Sequence, residues 1–502
     1  MAPCGRAGKR SPAALHRLAR TRHSLHGAPC AQPLPNPLNM TISPGKSTRS
    51  TERTRRITSE PIGPLLTRLT GTMIMGVIAM MTLGIVDTWF ISLLGTNQLA
   101  AIGFIIPVYM IFVSIALGIG MGISSITSRL VGEARHDAAA RYVTDAQILA
   151  LLLSVIIAVL VALSFKSIFS AMGATDQVLP YISEYMYVLI LGLPVIMIAV
   201  ICGNTFRAIG AMKTSASMST LMALMNLALD PLLIFGPGPF PEMGMKGAAL
   251  ASVIAATTVA AVAVYILAVR EKLLLFTLPR LRHIRENWEE LLQIGVPAML
   301  ANMMTPFAAA IMTAMIAGFG AEAVAGFGVG ARIETICLMV VFALSATLPM
   351  FIGQNLGAGK GERARQALFG CLKFGIVFQV AVYLLLLAFS PWIAPAFSAD
   401  AEVIRVINTF IYILPLTYGA HSVVILVMVS LNVMRRPRLG LFLIIIRLIA
   451  LYLPLAYIGG LIWGITGMFA GAATGNIIAG IIAYRVIKKV CAGEDSLLPV
   501  TA

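Results

Sequence analysis

GTNQLAAIGF, residues 95–104, comes back as GAEAVAGFGV, residues 320–329. Gly95, Ala100 and Gly103 fall on Gly320, Ala325 and Gly328. The same spacing, carried forward without a gap, sets LVGEARHDAAAR at Leu130 over NLGAGKGERARQ at Asn355. That continuation pairs Gly132 with Gly357, Asp137 with Glu362 and Ala139 with Ala364. Identity is common by chance in apolar sequence, so the shared loop chemistry carries more weight than the matches themselves. A chain that repeats itself at so long a period is built from two copies of one unit. Further along, GLPV at Gly192 resembles ILPL at Ile413, MKTS at Met212 sits where MRRP does at Met434, and GMKGAA at Gly244 parallels GITGMF at Gly464.

Each unit is a series of apolar runs. The chain has 502 residues, of which 58% are hydrophobic and 12% charged, with a mean hydropathy of +0.89, far from the usual composition of a soluble domain. A membrane helix needs about 20 mostly apolar residues, and about twelve such runs follow one another between Pro64 and Ile487. About six fall in each unit. An even number brings both units into the membrane from the same side, so they are related by a pseudo-two-fold axis along the membrane normal rather than by inversion. The sequence therefore predicts an all-α integral membrane protein of twelve transmembrane helices in two six-helix lobes.

Orientation follows from the basic residues, which stay on the cytoplasmic side. They occupy every second break, among them Arg129, Arg135 and Arg141, then Arg207 and Lys213, Lys360, Arg363 and Arg365, and Arg435, Arg436 and Arg438. Both termini are placed in the cytoplasm by this pattern. The formal charge of +16 then needs no nucleic acid, because inside-positive topology and a basic tail account for it. The expected domains are a disordered basic tail over residues 1–60 with a possible start at Met40, an N-lobe over 61–270, a cytoplasmic linker over 271–288, a C-lobe over 289–490 and a C-terminal tail over 491–502. The linker reads either as an amphipathic surface segment or as a solvated loop. Six cysteines without metal-ligand spacing indicate neither a disulfide framework nor a zinc site.

Three acids lie inside the predicted helices: Asp87 in GIVDTWF, Asp230 in NLALDPL and Glu334 in ARIETIC. An acid at the centre of a membrane helix costs about 2.5 to 3.5 kcal/mol on insertion scales, and such residues face protein or water and are functional by default. Asn226 lies four residues before Asp230 and shares its helical face. Pro231 lacks an N–H and leaves the Leu227 carbonyl without its helical donor. A carboxylate, an amide oxygen and a free carbonyl are hard donors suited to H⁺ or Na⁺, with no preference legible in the residue types. If Asp87 faces the same pocket, two carboxylates would share one proton. The plainer alternative has Asp230 kink its helix beside Pro231. His421 and Arg447 are also membrane-embedded by position, and a lone membrane histidine is more often an interhelical hydrogen bond than a relay.

The chain resembles the multidrug and toxic compound extrusion (MATE) transporters of bacterial type over roughly residues 60–490. The motifs that carry the resemblance are VDTWFISLLGT with the following LAAIGF, NLALDPLLIF, GQNLGAGKGERARQA, the paired RAIGAMKTS and NVMRRPR loops, and GMKGAALAS. The resemblance implies a V of two six-helix lobes in the cell inner membrane and a secondary active transporter rather than an enzyme. It implies export of small organic cations or amphipathic drugs, driven by inward H⁺ or Na⁺, by a monomer with membrane lipid around it and no cofactor. It carries the N-lobe cation site onto Asp87, Asn226 and Asp230, the ligands if the ion is Na⁺, and Ser252 stands where relatives commonly have Thr. One departure is plain: relatives that place a Glu in the seventh helix have no counterpart in QIGVPAMLANMMTPFAAAIMTAMIAGF, which contains no acid. Glu334, with His421, is the expected substitute in the substrate cavity. A flippase for lipid-linked saccharides is the alternative, disfavoured because little beyond Arg447 offers a positive charge inside the helices. No nucleophile elbow, phosphate loop or metal spacing supports an enzyme.

Overall fold

The computed structural model describes residues 49–237, 241–275 and 281–492, which belong to one compact unit beginning at Thr48. Every regular element among them is helical. A short helix α1 (Arg49–Ser59) precedes the N-lobe helices α2 (Ile62–Ser92), α3 (Thr96–Gly132), α4 (His136–Ala171), α5 (Leu179–Ala208), α6 (Met212–Phe235) and α7 (Gly244–Tyr265). The C-lobe holds α8 (Leu281–Ala317), α9 (Ala321–Cys337), α10 (Met339–Gly357), α11 (Gly361–Phe397), α12 (Ala401–Ile413), α13 (Tyr418–Val433), α14 (Pro437–Ile445) and α15 (Leu453–Ala492).

Eleven helical stretches among the described residues are long and apolar enough to cross a bilayer. The last, Pro437–Ala492, is two helices joined at Trp463 and Gly464, where the backbone leaves helical geometry and Gly464 takes a φ of +61°, so twelve spans result. The eighth and tenth are each broken in the middle. α9 passes into α10 at Leu338, where Gln379 Nε2 donates to the Cys337 carbonyl at 3.0 Å, and α12 passes into α13 through a short 3₁₀ turn at Pro415–Thr417. Large apolar side chains look outward, Leu163 at 81% exposure and Leu191 at 82%, as a lipid-facing surface requires and water would not allow.

The repeat is a repeat of backbone. Thr96–Gly132 and Ala321–Gly357 are equal in length and start 225 residues apart, and each is entered through a glycine of positive φ, Gly95 at +137° and Gly320 at +110°. The loops that follow superpose bond for bond. Glu133, Ala134 and Arg135 donate to the carbonyls of Arg129, Val131 and Leu130, as Ala358, Gly359 and Lys360 do to those of Gln354, Leu356 and Asn355. A third match is found at Gly210 and Arg435, both left-handed, with φ of +76° and +57°. This corrects the expected pairing of Met212 with Met434: Met212 falls on Pro437, three residues later. Identity of the two methionines masked the true register, in which a glycine turn in one lobe is an arginine turn in the other.

The lobes meet through α3 and α10 at the end carrying the basic loops. A Cβ on Gly132 would stand 2.3 Å from the Gln354 carbonyl oxygen, and one on Gly357 would stand 2.2 Å from that of Arg129. The two contacts exchange under the repeat, as a pseudo-two-fold demands. Ser125 Oγ donates to the Asn432 carbonyl at 3.0 Å and Gln354 Nε2 to that of Ala208 at 2.9 Å. Between the lobes this end is therefore packed shut.

Two boundaries differ from expectation. Residues 1–48, with Met40, lie outside the described residues, as do 493–502. The last part of the expected tail is ordered: α1 buries Ile57 to 2% exposure and is tied to both lobes. Arg53 pairs with Glu271 at the end of the N-lobe. On the other side Lys360 Nζ reaches the Thr58 carbonyl at 2.8 Å, and Arg363 binds those of Ile57 and Glu60. The expected linker is likewise part helix, because α8 begins at Leu281 and anchors on α4 through Asn287 Nδ2 to Asp145 Oδ2 at 2.6 Å and Trp288 Nε1 to the Asp145 carbonyl at 2.8 Å.

Candidate functional site

α2 and α6 run against each other closely. Gly76 leaves so little room that a Cβ would stand 3.2 Å from Ala216 Cα, and at the far ends of the same helices the rings of Phe90 and Phe235 meet at 6.2 Å. The sequence places Asp87 three residues before the first ring and Asp230 five before the second. The two acids are brought into electrostatic reach of each other. Asp230 and Asn226 are both 0% exposed, and α6 continues through Pro231 without ending.

The four N-lobe residues are not equally engaged. Ser252 on α7 donates to Asn226 Oδ1 at 2.9 Å, and Asn226 Nδ2 donates to the Met222 carbonyl at 2.9 Å, so the amide is fixed on both sides. Both oxygens of Asp230 and Oδ1 of Asp87 are buried with no hydrogen-bond partner. Buried polar groups nearly always find a partner, and an unpartnered carboxylate is the most costly exception. Three such oxygens are unfilled acceptors on two acids within electrostatic reach of each other. Among the described residues no group of three or more His, Cys, Asp or Glu is arranged to hold a metal ion. A cation here would draw on two carboxylates and neutral oxygens.

Two residues went unremarked in the sequence. Tyr109 on α3 and Tyr185 on α5 both lie within electrostatic reach of Asp87, and Tyr185 within reach of Asp230 as well. Their signal was available: a phenol in an otherwise apolar membrane run, as in IIPVYMIF, needs a polar partner.

The C-lobe residues also come together. Glu334 on α9 faces His421 on α13, Oε1 to Nδ1 at 3.4 Å, an ion-pair distance without hydrogen-bond alignment. Arg447 sits within electrostatic reach of Glu334, in a π-helical turn, Ile446–Tyr452, that widens the helix between α14 and α15. Under the 225-residue spacing Glu334 occupies the place of Tyr109, while Asp87 answers to Met312, which is wholly buried. One repeat has thus produced two polar cores of opposite make-up, an acid pair in the N-lobe and an acid, a histidine and an arginine in the C-lobe.

A two-lobe helical bundle with unpartnered acids buried in one lobe and a shut basic end defines a membrane transporter. A model of the MatE family matches residues 72–232 and 297–458, segments that begin 225 residues apart, and the chain belongs to that family of secondary transporters. It is 37% identical over 433 residues to a FAD transporter of Shewanella oneidensis, covering 86% of this chain and 96% of the relative. It is 22% identical over 417 residues to the multidrug export protein MepA of Staphylococcus aureus, 83% of this chain and 91% of that one. In structure it is similar to the Vibrio cholerae MATE transporter VcmN in the bent form, with a TM-score of 0.83 at 27% identity over 89% of this chain and 100% of that one.

Proposed function

We propose that this chain is a cation-coupled antiporter of the inner membrane, with both termini cytoplasmic, that exports amphipathic organic compounds as a monomer. The observation that carries the reading is Asp230: a fully buried carboxylate whose two oxygens have no partner, within electrostatic reach of Asp87. In that setting each acid gains from a proton or Na⁺, and the gain disappears when water reaches the pocket. If ion-loaded and ion-free forms favour different packings of α2 on α6, ion flow inward drives cargo outward. Asn226, locked by Ser252, offers its amide oxygen as a further ligand, and Glu334 with His421 supplies counter-charge in the substrate cavity.

Proteoliposome efflux of ethidium under an imposed pH gradient, or alternatively a Na⁺ gradient, tests the reading. Asp87→Asn and Asp230→Asn are each expected to lower gradient-driven efflux by about tenfold or more while protein level holds, about 1.4 kcal/mol per decade. Full efflux by both variants would sink it.

A second reading of the cargo is favoured by the FAD transporter relative, which aligns along nearly its whole length. Here the exported compound is a flavin nucleotide, an amphipathic anion with an aromatic ring system. The lipid-linked saccharide flippase fits less well, since the C-lobe helix stretch Pro437–Tyr457 holds a single charge at membrane depth, Arg447.

A further inference from the structure

Arg447 is 6% exposed, and its one hydrogen bond runs from Nε to Asn476 Oδ1 at 3.0 Å. Asn476 Nδ2 in turn donates to Thr417 Oγ1 at 3.4 Å, so the guanidinium is held from behind. Among the described residues no acceptor meets its two terminal nitrogens and no carboxylate pairs with it; Glu334 lies in electrostatic reach and faces His421 at 3.4 Å. A guanidinium offers five donors in a fixed fork, and burying that charge with the fork unfilled is expensive. The surroundings repeat the pattern. Tyr418, 1% exposed and within electrostatic reach of Glu334 and Tyr452, has a hydroxyl without a partner. The N-lobe site, with two acids and no base, holds no such cation.

We propose that this C-lobe cluster, anchored by Arg447 in its π turn, is the binding site for the phosphate of an anionic organic cargo. The inference rests on the antiporter reading and names the cargo class for the same molecule. The fork of Arg447 takes two phosphate oxygens side by side, which a lysine ammonium cannot do. Tyr418 donates its free hydroxyl. Among the described residues Glu334 makes no ion pair with Arg447, so the guanidinium keeps its charge for the ligand. Separation of duties follows: the N-lobe acids hold the driving ion and the C-lobe cation holds the cargo's charge.

The test uses full-length protein in proteoliposomes of net-neutral phosphatidylcholine, with flavin adenine dinucleotide and ethidium as paired cargoes. Arg447→Gln is expected to lower flavin dinucleotide export and binding by about tenfold or more, the worth of a charge-assisted bidentate contact, while export of the cation ethidium, which loses a nearby like charge, does not fall. Arg447→Lys is expected to raise the flavin KM several-fold with ethidium unchanged, and it decides the matter if the Gln variant fails to fold. Equal loss of both cargoes in both variants, no loss of flavin export, or wild-type protein that moves ethidium and not the flavin would each overturn the inference. So would an Arg447 effect that emerges only when phosphatidylglycerol is added, because the arginine would then serve a lipid headgroup. If wild-type protein moves neither cargo, the antiporter reading itself fails, an outcome distinct from the others.

Discussion

Asp230 shows how one side chain trades stability for use. Its two oxygens are buried and unpartnered, an arrangement that favours a bound cation and penalises the empty site. Removing the charge should therefore help the fold while harming the activity. Asp230→Asn is predicted to keep or raise the melting temperature in detergent, by the equivalent of about 1 kcal/mol or more, even as coupled efflux falls. A clear loss of stability would mean the carboxylate has a structural partner. Ser252 plays a milder part, since its hydroxyl orients Asn226 Oδ1. Ser252→Ala should leave transport running but weaken affinity for the coupling ion, seen as a shift in the ion concentration for half-maximal efflux. At this scale the buried acids of the N-lobe were legible because acids in apolar runs stand out and because Asn226 and Asp230 share one helix face. Tyr109 and Tyr185 carry only half a signal in the sequence: a phenol in an apolar run calls for a polar partner, but which acid lies in reach depends on how the helices pack.

Helix α1 is the element that composition concealed. RSTERTRRITS is polar nearly throughout, so its sequence resembles a solvated tail; one isoleucine and one arginine give it a place. Ile57 packs beside Gly210, where a Cβ would stand 2.6 Å from Ile57 Cδ1, and Arg53 holds Glu271. A buried isoleucine is worth about 1.5 to 3 kcal/mol. Ile57→Asp is therefore predicted to release α1 and raise thiol labelling of a cysteine placed at Ala211, 4% exposed beside Gly210, with Arg53→Ala giving a smaller rise. Unchanged labelling in both would show that α1 only decorates the surface. The C-lobe cluster was half legible for a related reason. Glu334 and His421 were visible as polar residues in apolar helices, but their meeting, and the approach of Arg447, depend on helix packing and on a π turn that no period in the sequence announces.

Across the whole molecule, the 225-residue spacing over the first helices of each lobe made the fold legible early, because two glycine-entered helices and two basic loops recur in order. What sequence could not give was the state of the pathway. Gly132 and Gly357 bring α3 and α10 into backbone contact at the basic end, and this seal must open if cargo is to enter from that side. Gly132→Ala is predicted to weaken the seal, since its Cβ cannot fit 2.3 Å from the Gln354 carbonyl oxygen, and so to shift the population toward opening at the basic end, measurable as a longer spin-label distance between Arg141 and Arg365 positions. An unaltered distance would mean that the contact does not control the closure.

If ion and cargo move in opposite directions through one chain, with Asp87 and Asp230 holding the ion, proteoliposomes loaded with cargo take up ions as the cargo leaves. Efflux by wild-type protein is expected to draw in protons or Na⁺, and this counter-flow is expected to vanish with Asp230→Asn. Cargo efflux that continues at full rate after both ion gradients are dissipated, or ion entry that persists in the variant, would contradict this coupling.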